Sequence, residues 1–340
     1  MPELPEVEIV KQSLLKNINN KLIKNVNIYN PNLRFKLPVN FKSVLKGKKI
    51  KGIKRFSKYI ILELSNNYFV VIHLGMSGTI HILRNGKKRT LTNLSFYNSP
   101  TLPKKHNHIV VNFGKLKIIY NDPRRFGFFK IFSNKNELDK YFINYGPEPF
   151  DEKFNIKYLK KKLTKKKKNI KNYLLDQKFV SGIGNIYANE ILFFCKLKPT
   201  IKSGKLKEKD LKNLITFSRN VLKTAIKKGG SSIRNFKDVN GKIGAFQKSF
   251  KVYQRENLKC LIKNCNGLIR KNVSLLSLID ANITTNSKPK ENIIELDGKY
   301  SLNKGNLLNF KLKNSFKKDL MNLNLDAEYD DLVEIDLINY

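Results

Sequence analysis

The chain has 340 residues, 41% of them hydrophobic, which is enough for two domains with separate cores. Lys and Arg number 67 against 27 Asp and Glu, a formal charge of +40 that calls for a polyanionic partner; nucleic acid leads, because each phosphate neutralised releases a counterion. No apolar stretch approaches a membrane span, the N-terminus lacks the basic-then-apolar order of a signal peptide, and three cysteines build no disulfide framework, so a soluble cytoplasmic chain without a membrane partner is expected.

In chain order, Leu4, Val7, Val10, Leu14 and Ile18 recur at helical spacing and predict an amphipathic helix with Pro2 at its mouth and Glu3 and Glu6 in its acidic first turn. If Met1 is removed, Pro2 carries a secondary amine, a nucleophile toward an electrophilic carbon. Helix punctuation is the alternative reading of the same residues. From Leu22 to about Phe132, short β-rich runs such as KYIILEL, YFVVIHL, HIVVNF and FGFFKIF are separated by Asn, Gly, Lys and Pro, and predict an antiparallel sandwich or barrel. Within it, YNDPRRFGFFK (120–130) predicts an Asp-Pro turn at a hairpin tip, presenting Arg124, Arg125 and Phe126 as cations beside an aromatic wedge. The competing reading is an Asp–Arg pair with a core Phe.

After NYGPEPFD, helical periodicity returns over 156–228, so the second domain reads as mainly α. In KFVSGIGNIYANEILFFC (178–195), Gly182 and Gly184 form a turn feeding a helix, whose free N–H groups would seat a phosphate beside Asn185. A plain glycine turn is the alternative, and the lysine-rich KKLTKKKKNIK upstream weighs against it. Cys195 reads as a buried apolar residue. The charge is uneven: residues 272–340 hold eight lysines, no arginine and eleven acids, a net of −3 against +43 for residues 1–271.

MPELPEVE at the start, HLGMSG (73–78), KHNH (105–108), NDPRRFG (121–127), YGPEP (145–149), GIGNIYANE (182–190) and VYQRENLKC (252–260) together resemble the formamidopyrimidine-DNA glycosylase (Fpg/MutM) family over residues 1 to about 270. The resemblance implies an α+β multidomain fold. An N-terminal helix and antiparallel β-sandwich (1–132) and a linker (133–155) precede a helix-two-turn-helix DNA-binding domain with a lesion-capping loop (156–250). A partial zinc-finger hairpin (251–271) and a divergent acidic tail without assigned elements (272–340) complete the chain. The implied activity is that of a monomeric base-excision repair enzyme acting on double-stranded DNA. It flips out oxidised purines, cleaves the glycosidic bond through a Pro2 Schiff base and nicks the abasic strand by elimination.

On the residues that match, the resemblance makes Pro2 the nucleophile, Glu3 the acid/base at the sugar and Lys58 the proton-transfer lysine. It places His73, His106, Lys167 and Asn185 on DNA, with Met76, Arg124 and Phe126 filling the gap left by the extruded nucleotide. Glu6, Gly229, Gly230, Ser231 and Ser232 fall near the damaged base. It also implies one zinc per chain on four cysteines, whereas only Cys260 and Cys265 stand there, spaced C-x4-C. A DNA-binding remnant without full catalysis is the alternative function. Because resemblance and positive charge end together near Lys271, a shifted reading frame in the gene accounts for both; a genuine acidic tail is the other explanation.

Overall fold

The computed structural model describes residues 2–84, 90–94, 104–231, 236–237, 246–262, 264–270, 276–288, 291–302, 308–317 and 320–327. The chain divides into two compact units, residues 1–269 and 270–340. The predicted first helix is α1 (Leu4–Ile18), and Leu4, Val7, Val10, Leu14 and Ile18 are at most 2% exposed, so the helical stripe is its core face. Glu6 accepts the Glu3 backbone N–H at 3.0 Å, tying off one of the free donors at the helix start. Pro5, not Pro2, occupies the first turn; Pro2 precedes the cap.

The β-rich region forms β1 (Asn25–Ile28), α2 (Phe41–Leu45), β2 (Ile50–Phe56), β3 (Tyr59–Leu64), β4 (Phe69–His73), β5 (Thr79–Arg84), β6 (Thr90–Leu94), β7 (Asn107–Asn112), β8 (Leu116–Asn121) and β9 (Phe128–Phe132), followed by α3 (Lys135–Phe142). The helical region holds α4 (Ile156–Leu163), α5 (Ile170–Leu175), α6 (Asn185–Phe194) and α7 (Glu208–Lys227), and β10 (Phe236–Lys237) follows it. Two antiparallel sheets, ordered β1-β7-β8-β5-β6-β10 and β2-β3-β4-β9, enclose a core that includes Ile60, Val70, Ile72, Ile80, Ile109, Tyr120 and Phe129 and is completed by α1. This is the expected sandwich. The short β10 comes from the far domain and adds an edge strand, Phe236 opposite Leu94.

One expectation fails. Segment 120–130 is not a hairpin, because β8 pairs with β5 in one sheet and β9 with β4 in the other. Residues 122–127 therefore cross between sheets, as residues 74–78 do from β4 to β5. The two crossings run side by side at the same end of the sandwich. Strands β2, β5 and β6, which the sequence reading did not name, have polar residues scattered among their apolar ones and no apolar run to announce them.

Helices α4 to α7 close a second core around Leu159, Ile170, Leu174, Ile186, Tyr187, Ile191, Leu214 and Leu222. Asn155 caps α4 by accepting the Tyr158 N–H at 3.0 Å. Cys195 is 5% exposed in this core, and burial pushes its thiol up to about 12. Beyond it, residues 257–269 close a small hairpin through a Lys259–Leu268 bridge. In the second unit, β11 (Leu276–Lys288), β12 (Glu291–Leu302), β13 (Leu308–Lys317) and β14 (Leu320–Ala327) form an antiparallel meander where the sequence reading assigned nothing. Among the described residues, no helix is long and apolar enough to cross a membrane.

Candidate active site

The Glu3 carboxylate is the centre of the site. It is 3% exposed and accepts the N–H groups of Gly184 (2.7 Å), Ile186 (2.8 Å) and Tyr187 (3.3 Å), which are the free donors at the start of α6. The glycine turn at 182–184 is thus filled by this chain's own carboxylate and offers no open phosphate seat, contrary to expectation. Gly184 has to lack a side chain, since a Cβ there would stand 2.5 Å from the Glu3 carboxyl carbon. Burial pushes the Glu3 carboxyl up to about 7 and the neighbouring Glu6 adds to this, while Lys58 and the α6 N–H groups pull it down. A carboxyl that exchanges its proton near neutral pH suits general acid–base work.

Lys58 stands on the turn between β2 and β3 and is 6% exposed. Burial lowers its ammonium from the ordinary lysine value, partly offset by Glu3 and Glu6. Its turn is held from outside. Ser57 adopts the left-handed region (φ 55°), with its N–H on Glu148 at 2.8 Å and its hydroxyl on Gln177 at 3.3 Å. Arg55 joins Glu148 to Glu8 of α1 and donates to the Ser57 carbonyl at 3.0 Å. Gln177 in turn accepts the Gly182 N–H at 2.9 Å and donates to the Ile183 carbonyl at 2.8 Å. The lysine turn and the glycine turn are therefore one network spanning sandwich and helical region. Sequence reading missed Arg55, Glu148 and Gln177, because no spacing rule links residues so far apart.

Glu6 is 1% exposed and fully engaged. Its carboxylate accepts from Tyr187 Oη (2.6 Å) and from both Ser231 N–H (2.7 Å) and Ser231 Oγ (2.8 Å). It therefore anchors the start of the segment expected to cap the flipped base, at Gly230 and Ser231, with half-buried Gly229 leading in. Ser232 lies outside the described residues, as do Gly241 and Gly244. Pro2 is buried beside Glu3.

The two inter-sheet crossings carry Met76, Arg124 and Phe126. Asp122, fully buried, binds them together: its carboxylate accepts from Ser77 Oγ (2.5 Å), Tyr120 Oη (2.9 Å) and Gly127 N–H (2.8 Å). Gly127 must also be bare, because a Cβ would lie 1.8 Å from Tyr120 Oη. The competing reading fails, since no Asp–Arg ion pair forms here among the described residues. Arg124 is exposed, with its guanidinium 4.4 Å from the half-buried Phe126 ring, so cation and wedge form one feature. Met76 is half-buried beside them.

His73 accepts the Gly75 N–H on Nδ1 at 3.1 Å and stacks on Phe128 at 5.2 Å. Burial and the charges of Lys58 and Arg34 hold its imidazole down to about 4, so near pH 7 it is neutral with Nε2–H as donor. His106 is half-buried in the turn before β7, and its carbonyl receives the Asp122 N–H at 3.0 Å. Asn185 is exposed at the first position of α6, and Lys167 is exposed in the connection from α4 to α5. Both belong to the helical region, Asn185 between Gly184 and Ile186, whose N–H groups hold Glu3.

Zinc does not fit the donors present. Cys195 is enclosed in the helical core, all four histidines lie between residues 73 and 108, and only Cys260 and Cys265 stand on the hairpin. A tetrahedral structural site needs four such ligands. No group of three or more His, Cys, Asp or Glu is placed for a metal among the described residues.

Residues 1–129 match the formamidopyrimidine-DNA glycosylase N-terminal domain, and residues 145–237 match the formamidopyrimidine-DNA glycosylase H2TH domain. The chain is 41% identical over 276 residues to the formamidopyrimidine-DNA glycosylase of Wolbachia sp. subsp. Brugia malayi, covering 80% of this chain and 96% of that protein. It is 38% identical over 274 residues to that of Dinoroseobacter shibae, covering 80% and 94%. Among solved structures, the complex between the Lactococcus lactis Fpg and an abasic-site-containing DNA superposes with a TM-score of 0.69 at 33% identity, covering 79% of this chain and 94% of that one. The chain belongs to the formamidopyrimidine-DNA glycosylase family.

Proposed function

We propose that this protein is a bifunctional DNA glycosylase that excises oxidised purines, 8-oxoguanine and formamidopyrimidines, and then nicks the abasic strand. The observation that carries the reading is the buried couple of Glu3 and Lys58, which act on each other electrostatically, with Pro2 next to Glu3 in the chain. It joins a carboxyl that titrates near neutral pH to a lysine of lowered basicity beside a residue able to become an N-terminal secondary amine. The amine of Pro2 attacks C1′ of the flipped nucleotide; the N–C1′ bond forms, the glycosidic bond breaks, and the base leaves with a proton. The C1′–O4′ bond then opens, O4′ takes a proton, and the cationic iminium that results acidifies the C2′ proton, whose removal expels the 3′ phosphate; water then releases the amine. Glu3 and Lys58 exchange the protons. Neutral His73, Arg124, Asn185 and Lys167 hold phosphates, and Met76 with Phe126 fills the vacated stack.

Incubation with an 8-oxoguanine:cytosine duplex and borohydride tests the chemistry. A covalent adduct from the parent protein and none from Pro2→Gly is expected; no adduct from the parent refutes the Schiff base. One observation favours a second reading, a DNA-binding remnant: the hairpin keeps two cysteines of an expected four. Duplex binding without adduct or nicking would establish it.

A further inference from the structure

We propose that the C-terminal hairpin of this protein works as a metal-free clamp on DNA and that the Glu190 carboxylate, not zinc, docks it. The inference rests on the DNA-binding part of the proposed function and not on the Schiff-base chemistry. The donor set argues against a metal: two thiols, one exposed and one half-buried, with no further cysteine or histidine after them. The hairpin is nevertheless closed by backbone bonds among the described residues. Asn257 N–H meets the Ile269 carbonyl at 2.8 Å, Ile269 N–H meets Leu258 at 2.9 Å, Cys260 N–H meets Gly267 at 2.8 Å, and Cys265 N–H meets Ile262 at 3.1 Å.

Such a hairpin has no core to fix its direction. Leu258, Leu261, Ile262 and Leu268 are 41–53% exposed, so apolar packing does not anchor it. Its stem is anchored instead. Glu190, fully buried on α6, accepts the three successive N–H groups of Lys251 (2.8 Å), Val252 (3.0 Å) and Tyr253 (2.8 Å). No cation pairs with it among the described residues. An unpaired carboxylate survives such burial only when its lone pairs are met by hydrogen bonds, and these three backbone donors meet them. A chain of rings, Tyr187 to Phe246 to Phe250 to Tyr253 at 5.5–5.7 Å, runs alongside. Arg255 then donates to the Lys259 carbonyl at 3.1 Å, stiffening the step from stem to hairpin.

The placement gives Glu190 a positioning role. The N-terminus of α6 seats the Glu3 carboxylate and its later turn seats the hairpin stem, so one ten-residue helix fixes the clamp relative to the proposed chemical centre. The cations this unit carries on the clamp, Arg255 and Lys259, are the charges it would bring to phosphate.

The test uses the full chain, purified without added metal, and a duplex carrying a tetrahydrofuran abasic analogue, so that binding is read without chemistry. Metal analysis is expected to find far less than one zinc per chain, and chelator is expected to leave the Kd unchanged. Glu190→Gln places an NH2 against N–H donors and is expected to weaken binding about ten-fold, with a shallower salt dependence as phosphate contacts are lost. Hydrogen exchange should accelerate at amides 251–253 and not at the start of α6, and Glu190→Asp should recover part of the affinity. If Glu190→Gln does not fold, Lys251→Pro removes one of the same donors from outside the core and is expected to weaken binding in the same direction. Stoichiometric zinc whose removal abolishes binding overturns the proposal, as does half-stoichiometric zinc shared by a dimer. Unchanged binding in Glu190→Gln overturns it equally. Failure of borohydride trapping would refute the chemistry and leave the clamp standing.

Discussion

Glu3 concentrates the residue-scale physics. Its carboxyl has lost water and gained three N–H donors, and the loss dominates, raising its value from 4.5 to about 7. A raised folded-state value stabilises the fold below pH 4.5, and that contribution disappears as pH rises through 7, a change of roughly 3 kcal/mol. Thermal melts across pH 4–8 should therefore slope downward in the parent and flatten in Glu3→Gln, which has nothing to titrate there. The same variant should lose the inflection near neutral pH in the single-turnover excision rate. MPELPEVE announced both acids, but only the fold separates them: Glu3 faces the helix start of another domain, whereas Glu6 is consumed by Tyr187 and Ser231.

Among elements, two junctions decide the geometry. The first is the pair of inter-sheet crossings stitched by Asp122. Asp122→Asn would turn an NH2 toward one of its three donors, costing about 1–3 kcal/mol. Because Met76 and Arg124–Phe126 hang from the same knot, insertion into the duplex should fall as well, measured by fluorescence of 2-aminopurine placed opposite the lesion. The second junction is Glu8–Arg55–Glu148, whose side chains are 9–17% exposed. Glu148→Ala leaves the Arg55 guanidinium with one carboxylate and frees the Ser57 N–H, so unfolding in denaturant should show a loss of about 3–5 kcal/mol. The Lys58 turn should loosen with it. NDPRRFG was legible as a motif, yet its description as a hairpin tip was wrong, because local sequence cannot show that β8 and β9 join different sheets.

The whole molecule is electrostatically lopsided, +43 over residues 1–271 and −3 over the remainder. Binding to any duplex should weaken steeply with salt, and removing residues 272–340 should not reduce it at low ionic strength, since the cations lie elsewhere. Calorimetry of the full chain should show a transition that the truncated chain lacks, because the tail forms its own four-stranded unit. An unchanged thermogram after truncation would count against an independently folded tail.

By itself the sequence determined the reaction family, the helix stripe of α1, the β-then-α order and the poverty of metal ligands, since each is written in residue type or in a period of a few positions. Tertiary structure alone decided that the glycine turn is filled by Glu3 rather than left for phosphate. It likewise decided that Asp122 holds two loops instead of an arginine, that Arg55 and Gln177 support Lys58, and that Glu190 takes the hairpin stem. The contacts that decide these arrangements join residues from 45 to almost 200 positions apart, and many use backbone N–H groups that every residue type carries. A pattern of side chains cannot encode where such donors will converge; only the folded chain brings them to a carboxylate.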